Sequence, residues 1–544
     1  MSERKIKAAL ISVYYKDGLE PIVRKLNELG VQLISTGGTL SFIQSLNIPV
    51  TAVASLTGFP EILGGRVKTL HPKIFGGILG RRELKEDLAQ MQQYEIAEID
   101  LVIVDLYPFE ETVSHEREQV LPKNEFLISS PLEKMPKADE AREDLGGAVI
   151  EKIDIGGISL IRAAAKNFND VLICASRNYY PDLINLLNEK NGISVKEDRQ
   201  LFAAKAFNIT SHYDSAIFNY FSKGINNDEE NVSAFKQSIL QSRNLRYGEN
   251  PHQRATFYGD FDALFTQLNG KEISYNNLVD IDSAVSLIDE FENPACAVIK
   301  HTNACGCAEA DNALHAWELA LAADPVSAFG GIIVFNRAVD LQTAEKVNEI
   351  FFEVIIAPDF SAEALAVFKQ KKNRIILSQK SKVKSEKSNS KKIFRSILNG
   401  VIEQDADTAL SSVATWKVVT AVAPSQNQIK DLLFAEKCIK HLKSNTIVLA
   451  KNKQLIGMGC GQTSRVDALK QAISKAKIFG FDLKGSAMAS DAFFPFDDCV
   501  TIAHEEGIAA VIQPGGSVKD KDSVDACNKF NMAMVTTGLR HFLH

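Results

Sequence analysis

The chain has 544 residues, of which 45% are hydrophobic and 24% are charged, a balance typical of ordinary globular proteins with several sizeable cores. The net charge of −7, from 68 acidic and 61 basic side chains, gives no overall attraction for nucleic acid or an anionic membrane. No signal-peptide pattern and no apolar run of membrane-helix length occur, and the eight scattered cysteines predict reduced thiols in the cytoplasm.

The N-terminal part alternates strand-like and helix-like segments. Strand patterns occur at "KAALISVY", "VQLIST" and "IDLVIVDLYPF", and helical patterns at "LEPIVRKLNELG" and "GGTLSFIQSLN". The last strand pattern is almost continuously apolar, which is typical of a strand buried on both faces. The alternation resumes with "KIDIGGISLIRAAAKNF" and "DVLICAS", so the sequence predicts an α/β region built on a parallel sheet.

Three polar stretches interrupt these patterns. Residues 111–147 are charged and contain prolines, which indicates an insertion. A long helical pattern at 195–222 leads into "GINNDEEN", which we interpret as a linker between regions 1–225 and 226–544. Residues 378–392 are polar and basic, which favours a solvated loop over a nucleic-acid patch.

The second region keeps an α/β character. "ACAVIKH", "GGIIVFN", "NTIVLAKN" and "IAAVIQPGG" are predicted strands, and "DALKQAISKAKIFGF" is a predicted helix. No short-period repeat is apparent in the sequence.

The glycine-rich segment "STGGT" follows a strand and opens a helix. Its glycines allow backbone N–H groups to approach an anion, and Ser35, Thr36 and Thr39 add hydroxyl donors. Lys16 follows another strand, and a parallel sheet would place it at the same edge. The pattern fits both a phosphate site and a plain glycine turn that caps a helix.

A second segment, "GGRVKTLHPKIFGG", carries cationic side chains between glycine pairs. Arg66, Lys68, Thr69 and Lys73 are too polar for a core element and predict a shaped cationic loop. His71 precedes a proline, and we interpret it as a structural turn residue.

Further acid and base groups follow the buried strand. Tyr107 lies in "DLYPF", Asp154 precedes a glycine-rich helix start, and Arg162 and Lys166 lie four residues apart on that helix. Together with Lys68 these groups offer proton donors and acceptors without a metal, although a solvated ion-pair face also explains the two helix cations.

The stretch "ACAVIKHTNACGCA" contains a histidine and a C-x-C pair, which are residue types found in metal and redox sites. A C-x-C pair is tighter than the usual structural zinc spacing, and no second Cys/His pair lies nearby. We therefore predict no metal and interpret Cys305 and Cys307 as small, semi-buried core residues. Lys300 and His301 are the groups to which we assign chemistry.

These motifs carry a resemblance to a known family. "STGGT", "LTGFPEILGGRVKTLHPKIFGGIL", "DLYPF" and "IDIGGISLIRAAAKN" resemble the inosine monophosphate (IMP) cyclohydrolase part of bifunctional purine-biosynthesis proteins. "LRYGENPHQ", "IKHTNACG", "ADPVSAFGG", "KSNTIVLAKN", "GMGCGQTSR", "SDAFFPFDD" and "GLRHFLH" resemble their aminoimidazole carboxamide ribonucleotide (AICAR) transformylase part. The resemblance implies an N-terminal methylglyoxal synthase-like parallel-sheet domain and a C-terminal cytidine deaminase-like α/β transformylase region of two subdomains.

The resemblance implies a cytoplasmic, homodimeric enzyme of late purine synthesis. It would transfer a formyl group from 10-formyltetrahydrofolate to AICAR and then close the product, FAICAR, to IMP with loss of water. Folate would be a cosubstrate, with no tightly bound cofactor, no nucleic acid and no membrane as partner. A monovalent cation such as potassium is compatible with the family.

For cyclisation, the resemblance assigns reacting groups and binding groups by motif. The reacting groups would be Lys68, Tyr107, Asp154 and Lys166. Tyr14 departs from the small polar residue of many relatives, which puts its phosphate contact in doubt. Phosphate and sugar would be held by Ser12, Lys16, Ser35, Gly37, Gly38, Thr39, Arg66 and Thr69.

For formyl transfer, the resemblance combines with the chemistry of a weakly nucleophilic amine. His301 would transfer the proton, Lys300 would polarise the formyl group, Asn445 would bond to it, and His544 would lie near it. Successive strand residues point to opposite faces, so Lys300 and His301 share one site only if the strand ends here. The nucleotide would be held by Arg246, Tyr247, Asn277, Asp324, Arg540 and Phe542, and the folate by residues near Gln462, Arg465, Asp491, Phe493 and Phe494.

Two other functions compete with this interpretation. One is a methylglyoxal synthase-like lyase fused to a deaminase-like domain, which the transformylase motifs disfavour. The other is a non-catalytic nucleotide sensor, which would need no acid or base groups in either half.

Overall fold

The computed structural model describes residues 3–60, 62–63, 67–113, 149–222, 234–380 and 392–544. Most of the predicted insertion, the "GINNDEEN" linker, most of the basic loop and Arg66 lie outside the described residues. The chain forms two compact units, Met1–Leu240 and Gln241–His544. No helix in the described ranges is both long enough and apolar enough to cross a membrane.

The first unit is built on a parallel sheet. Five strands follow the order β4-β3-β2-β5-β6, all parallel, and a separate antiparallel pair joins β1 to β7. The strands are β1 Arg4–Lys5, β2 Ala8–Ser12, β3 Gln32–Ser35, β4 Thr51–Ala52, β5 Leu101–Val104, β6 Leu172–Cys174 and β7 Ile193–Ser194.

Helices pack on the sheet of the first unit. They are α1 Leu19–Glu28, α2 Gly37–Ser45, α3 Val53–Thr57, α4 Pro72–Leu79, α5 Lys85–Gln93, α6 Gly156–Lys166, α7 Tyr180–Glu189 and α8 Lys196–Ser222, with a 3₁₀ turn at Arg177–Tyr179. Helix α1 shows why the pattern works, because its apolar residues recur at helical spacing and all four face the core. All four residues of β5 are buried, as its continuous apolar sequence predicts.

The second unit contains a twelve-stranded sheet and two small hairpins. Its strands are β8 Ser242–Leu245, β9 Ala255–Tyr258, β10 Phe265–Asn269, β11 Ala295–Lys300, β12 Asn303–Glu309, β13 Ile332–Phe335, β14 Val354–Ala357, β15 Ile375–Gln379, β16 Lys392–Ile397, β17 Gly400–Asp405, β18 Lys417–Val418, β19 Ile447–Lys451, β20 Gln454–Gly459, β21 Ala487–Ser490, β22 Ala510–Gln513 and β23 Ala533–Thr536. Its helices are α9 Phe261–Leu264, α10 Tyr275–Ile288, α11 Ala313–Ala323, α12 Leu341–Val347, α13 Ala362–Lys369, α14 Gln426–Ile439, α15 Arg465–Ile478, α16 Asp498–Glu505 and α17 Asp520–Lys529.

The large sheet is a structural duplication. In each half a helix leads into an antiparallel hairpin, β11–β12 or β19–β20, which is followed by three strands, β13–β15 or β21–β23. The first of these pairs antiparallel to the hairpin, and the next two continue in parallel. The halves meet where Ala308 of β12 pairs with Gln454 of β20. This arrangement matches the predicted division into two subdomains.

The quoted strand and helix patterns of both units are confirmed as elements of the structure. The helix at "LEPIVRKLNELG" ends next to Gly30, whose φ of 71° is the left-handed conformation that glycine adopts easily. His71 caps α4, because its Nδ1 accepts the Lys73 N–H at 3.1 Å. Its predicted structural role is therefore confirmed.

Candidate active sites

The carboxyl ends of the parallel strands in the first unit meet at one edge of the sheet. Asp105 follows β5, is buried, and accepts the backbone N–H groups of Tyr14 and Tyr15, the second at 3.1 Å. The same loop is closed by Lys16, whose Nζ donates to the carbonyls of Val13 and Tyr14, the second at 2.9 Å. Asp105 was missed in the sequence, although it stands in the quoted "DLYPF" motif, and it shapes the loop that follows Ser12.

The glycine loop packs against this edge through side-chain hydroxyls. Thr39 is buried; its Oγ1 donates to the Val13 carbonyl at 2.9 Å and accepts the Val13 N–H at 3.1 Å. Ser35 is also buried and donates to the Ile11 carbonyl at 2.7 Å. These two hydroxyls therefore fix the loop at the start of α2, where Gly37 is half-buried and Gly38 is exposed.

Lys68 reaches the glycine loop from the cationic segment. Its Nζ lies 3.0 Å from the position that a Cβ on Gly37 would occupy, and Gly37 has a φ of 53°. The positive φ favours glycine at this position, and a Cβ here would press on the end of the Lys68 side chain. Thr69 is buried, and its Oγ1 lies 3.0 Å from the corresponding Cβ position on Gly156, so the cationic segment also touches the start of α6.

Asp154 stands at the amino end of α6. Its Oδ1 accepts the Gly157 N–H at 2.7 Å, and its own N–H donates to Tyr213 Oη at 2.8 Å. Burial raises the pKa of Asp154, and nearby Asp105 adds to this, whereas the Gly157 bond and the charge of Lys68 oppose it. The carboxylate is thus held in place with one oxygen outside the Gly157 bond.

Tyr107 faces the same group of charges. Burial raises the pKa of its hydroxyl, and the negative charge of Asp154 raises it further, so the phenol stays protonated at neutral pH. The Tyr14 ring packs edge-on against Tyr107 with centroids 5.3 Å apart, and Lys152 Nζ lies 5.5 Å from the Tyr14 ring centre. Tyr14 therefore forms part of the wall of this site.

Lys166 lies at the other end of α6 from Asp154. It is exposed in the last turn, whereas Asp154 precedes the first turn of this 11-residue helix, which spans about 16 Å. Arg162 and Lys166 are both exposed, as their spacing on one helix face predicts. The assignment of Lys166 to the reacting groups stays a prediction from the family resemblance.

The Lys300–His301 motif lies at the tip of the β11–β12 hairpin. β11 ends at Lys300, and His301 and Thr302 form the turn with φ of 52° and 62°. Because the strand ends here, the two side chains are not forced to opposite faces, which was the condition stated above. A β-branched residue in the left-handed region costs about 1–3 kcal/mol, so the turn needs support.

That support comes from Asp280 on α10. Its Oδ2 accepts the His301 N–H at 3.2 Å and its Oδ1 accepts the Thr302 N–H at 2.7 Å. Lys300 Nζ donates to the Phe329 carbonyl at 2.9 Å, and Asn303 Nδ2 donates to the His301 carbonyl at 2.9 Å. The His301 ring is exposed, so it is accessible to a substrate.

A hydrogen-bonded chain leads from this hairpin to the second half of the sheet. Asn303 Oδ1 accepts from Cys460 Sγ at 3.2 Å, the Cys460 carbonyl accepts from Gln462 Nε2 at 3.1 Å, and the Gln462 carbonyl accepts from Asn445 Nδ2 at 2.9 Å. The structure therefore brings Lys300, His301, Gln462 and Asn445 into one region.

Arg465 organises the far side of this region. One of its nitrogens, Nη2, donates to Asn445 Oδ1 at 2.8 Å and to Asp491 Oδ1 at 2.7 Å, and Nη1 donates to the Phe493 carbonyl at 3.2 Å. Asp491 is fully buried, and its Oδ2 has no hydrogen-bond partner among the described residues. Phe494 is also fully buried and belongs to a hydrophobic core cluster.

The C-terminus folds onto the same region. Ser444 donates its N–H to the Leu543 carbonyl at 2.9 Å and accepts the Leu543 N–H on its Oγ at 3.1 Å. The Arg540 guanidinium lies 4.7 Å from the centre of the Phe542 ring, and the His544 ring, tilted by 39°, lies 5.9 Å from it. Predicted residues of the terminus thus lie next to Asn445.

The remaining predicted nucleotide residues have mixed placements. Arg246 and Tyr247 are bonded to each other, Nη2 to Oη at 2.8 Å, on the β8–β9 hairpin. Asn277 is buried and is used by the capping box of α10. Asp324 is buried; burial opposes its ionisation, but bonds from Lys475 and Ser327 outweigh this and lower its pKa.

The C-x-C pair does not form a site. A bulge in the β11–β12 ladder places Cys305 in the core on one face of the sheet and Cys307 in the core on the other. Burial raises the pKa of Cys305 to about 11 and that of Cys307 above its ordinary value. The predicted role of both cysteines as core residues is confirmed, and one metal ion could not bind both thiols.

The comparisons with known proteins agree with this architecture. The family model described as "AICARFT/IMPCHase bienzyme" matches residues 164–475, and a model of an MGS-like domain matches residues 18–121. The "bifunctional purine biosynthesis protein PurH" of Bacteroides thetaiotaomicron is 57% identical over 545 residues, covering 100% of both chains. The proteins of the same description from Caldicellulosiruptor bescii and Persephonella marina are 44% and 43% identical, each covering 99% of this chain and 100% of their own length.

The solved structure of ForH is 32% identical, with a TM-score of 0.30, and covers 39% of this chain and 96% of its own. The full-length similarity to the curated relatives and the match of the bienzyme model lead to one conclusion. This chain belongs to the AICARFT/IMPCHase family of bifunctional purine-biosynthesis enzymes.

Proposed function

We propose that this chain converts AICAR to IMP in two steps, with one step assigned to each compact unit. Formyl transfer from 10-formyltetrahydrofolate belongs to Gln241–His544, and closure of FAICAR belongs to Met1–Leu240. The family membership supports both activities. The observation that carries the assignment is the exposed His301 ring on a fixed turn, within one hydrogen-bonded chain of Asn445.

For formyl transfer, the substrate amine attacks the formyl carbon of the folate. A bond forms between this carbon and the amine nitrogen, and the bond to N10 of the folate breaks. His301 takes the proton that the amine loses and gives it to N10 as N10 leaves, so the products are FAICAR and tetrahydrofolate. Lys300 has three N–H donors and uses only one for the Phe329 carbonyl, so it retains donors for the developing oxyanion.

For cyclisation, the carboxamide nitrogen of FAICAR attacks its formyl carbon, and the formyl oxygen leaves as water. Asp154 takes one carboxamide proton through the oxygen that is not bonded to Gly157, and the formylamino nitrogen loses its N–H proton as the ring C=N bond forms. The neutral Tyr107 phenol and Lys68 stabilise the formyl oxygen and protonate it, and the two protons lost from the nitrogens balance the two that leave with this oxygen as water. We propose that the phosphate is held by the start of α2 and Lys16, and that Arg66 contributes as the family motif implies.

One set of assays tests both assignments. Purified protein is given AICAR and 10-formyltetrahydrofolate, and tetrahydrofolate and IMP are measured separately. Lys300→Ala should abolish tetrahydrofolate release but still convert supplied FAICAR to IMP, and Lys68→Ala should do the reverse. A single variant that removes both activities while its thermal unfolding is unchanged would contradict the division between the units.

We further propose a homodimer. The β16–β17 hairpin exposes a cluster of large apolar side chains, and patches of this kind are typical of protein interfaces. Sedimentation equilibrium should give twice the chain mass, and Ile402→Lys should shift the protein toward monomer; a wild-type monomer at micromolar concentration would refute this. The exposed residues are Ile393, Phe394, Ile397, Leu398, Val401 and Ile402.

Two further parts of the proposal come from the family resemblance. A monovalent cation such as potassium would support formyl transfer, and replacing potassium with tetramethylammonium in the assay tests this. The enzyme would act in the cytoplasm, which cell fractionation tests.

A further inference from the structure

We propose that Asp280 is a positioning residue for formyl transfer, which acts by holding the His301–Thr302 turn. This inference rests on the proposed role of His301. Asp280 lies on α10, the helix that leads into the hairpin, and its two carboxylate oxygens accept the two consecutive N–H groups of the turn at 3.2 and 2.7 Å.

The turn needs such a partner because of its sequence. Two-residue hairpin turns with positive φ favour Asn-Gly or Asp-Gly, whereas this turn has histidine and a β-branched threonine. A carboxylate that accepts both N–H groups compensates for a backbone conformation that these side chains disfavour. Within the turn, Thr302 Oγ1 and Asn303 Nδ2 also donate to the His301 carbonyl, at 2.7 and 2.9 Å. The backbone of His301 is thus fixed on both its N–H and C=O sides.

The second half of the duplicated sheet contains an equivalent contact between a helix aspartate and a hairpin turn, but this turn has no histidine. Asp431 is the sixth residue of α14, as Asp280 is of α10, and its carboxylate accepts the Lys453 N–H at 2.7 Å. The turn there is Asn452–Lys453, with φ of 54° and 57°. Asn452 takes the place of His301, and no predicted catalytic residue lies in this turn.

The duplication therefore separates two explanations. If the aspartate only stabilises a hairpin, both aspartates should matter equally for formyl transfer. If Asp280 positions His301, only its loss should slow the reaction. Asp431 is more deeply buried than Asp280, so its replacement should cost at least as much stability.

The experiment compares Asp280→Asn with the matched variant Asp431→Asn in the full-length protein. We expect Asp280→Asn to lower the kcat of formyl transfer about 10- to 100-fold, with the KM for AICAR changed less than threefold and FAICAR cyclisation unchanged. Asp431→Asn should keep kcat within about twofold, even if it lowers the melting temperature. The double variant Asp280→Asn with Thr302→Gly should recover part of kcat, because glycine adopts the turn conformation freely.

Three results would overturn the inference: Asp280→Asn with kcat within twofold of wild type, an equal loss in Asp431→Asn, or a loss confined to KM. Should Asp280→Asn prove insoluble, Asp280→Glu takes its place, with a smaller loss of kcat expected because the carboxylate is kept. His301→Ala is measured alongside. If it retains formyl transfer, the proposed function itself fails; if it is inactive and Asp280→Asn is normal, only the role of Asp280 fails.

Discussion

Lys68 Nζ lies over Gly37, 3.0 Å from the point that a side-chain Cβ would occupy. The contact joins the cationic segment to the glycine loop, and these are the two parts of the first unit that sequence motifs assign to anion binding. A side chain at Gly37 would therefore be disfavoured by this contact as well as by the positive φ.

Gly37→Ala should therefore displace Lys68 and slow cyclisation. A new Cβ would press on the ammonium group, so we expect at least a 10-fold loss of FAICAR cyclisation with formyl transfer unchanged. The control is Gly30→Ala, which carries a similar backbone penalty at φ 71° but has nothing within 4 Å of its Cβ. Equal losses of cyclisation in the two variants would show that strain alone is responsible.

The pH–rate profile of cyclisation should report the protonation of Asp154 on its acid limb, where activity falls as pH decreases. Burial and the charge of Asp105 raise the pKa of Asp154, so kcat/KM for FAICAR should fall, as pH decreases, at a pH above the ordinary carboxyl range. Asp105→Asn removes one of these charges and should shift the limb to lower pH, in addition to lowering activity through the loosened Tyr14 loop. An acid limb that stays at the same pH in this variant would contradict the coupling.

His541 should make stability depend on pH. It is buried, and although burial opposes its charge, Asp407 and Glu436 raise its pKa to about 9. A raised folded-state pKa stabilises the protein fully below the unfolded value near 6.5, and this contribution is lost as pH rises to 9. We expect the free energy of unfolding to fall by about 3 kcal/mol over this range.

Denaturant unfolding at pH 6.5 and pH 9.5 measures this contribution. The fall with pH should be smaller in His541→Gln than in wild type and unchanged in His315→Gln, because His315 is exposed. A wild-type difference that persists fully in His541→Gln would assign the pH dependence to other groups.

Two glycines at matching places in the duplicated sheet should be essential for stability. A Cβ on Gly306 would lie 1.8 Å from the Ala320 carbonyl oxygen, and one on Gly457 would lie 2.3 Å from that of Ala472. The backbone of the neighbouring helix leaves no room for a Cβ at either position. Each change to alanine should therefore lower the free energy of unfolding by about 3 kcal/mol or more, or yield insoluble protein. Thermal unfolding measures the cost, and Gly400→Ala, which has open space, should be neutral.

Local patterns were predictable from the sequence because their causes are local. The apolar run of β5 and the helical spacing of α1 need only neighbouring residues to be recognised. The "STGGT" loop was placed at the carboxyl edge because parallel strands bring their ends together. The resemblance then linked distant motifs, and the chain from Asn303 to Asn445 shows that several of them do meet.

The features that escaped prediction depend on the tertiary fold. The duplication was missed because α10 and α14 share few residues, and their likeness lies in what they contact. Asp280 was missed because its partners are more than twenty residues away along the chain and are backbone groups.

The role of His301 in formyl transfer is tested most directly with the variant His301→Ala, measured in two assays on one preparation. Supplied with AICAR and 10-formyltetrahydrofolate, it should release tetrahydrofolate at least 1000-fold more slowly than wild type, while supplied FAICAR should become IMP at the wild-type rate. Formyl transfer within 10-fold of wild type, or loss of cyclisation in a protein that unfolds normally, would contradict the account.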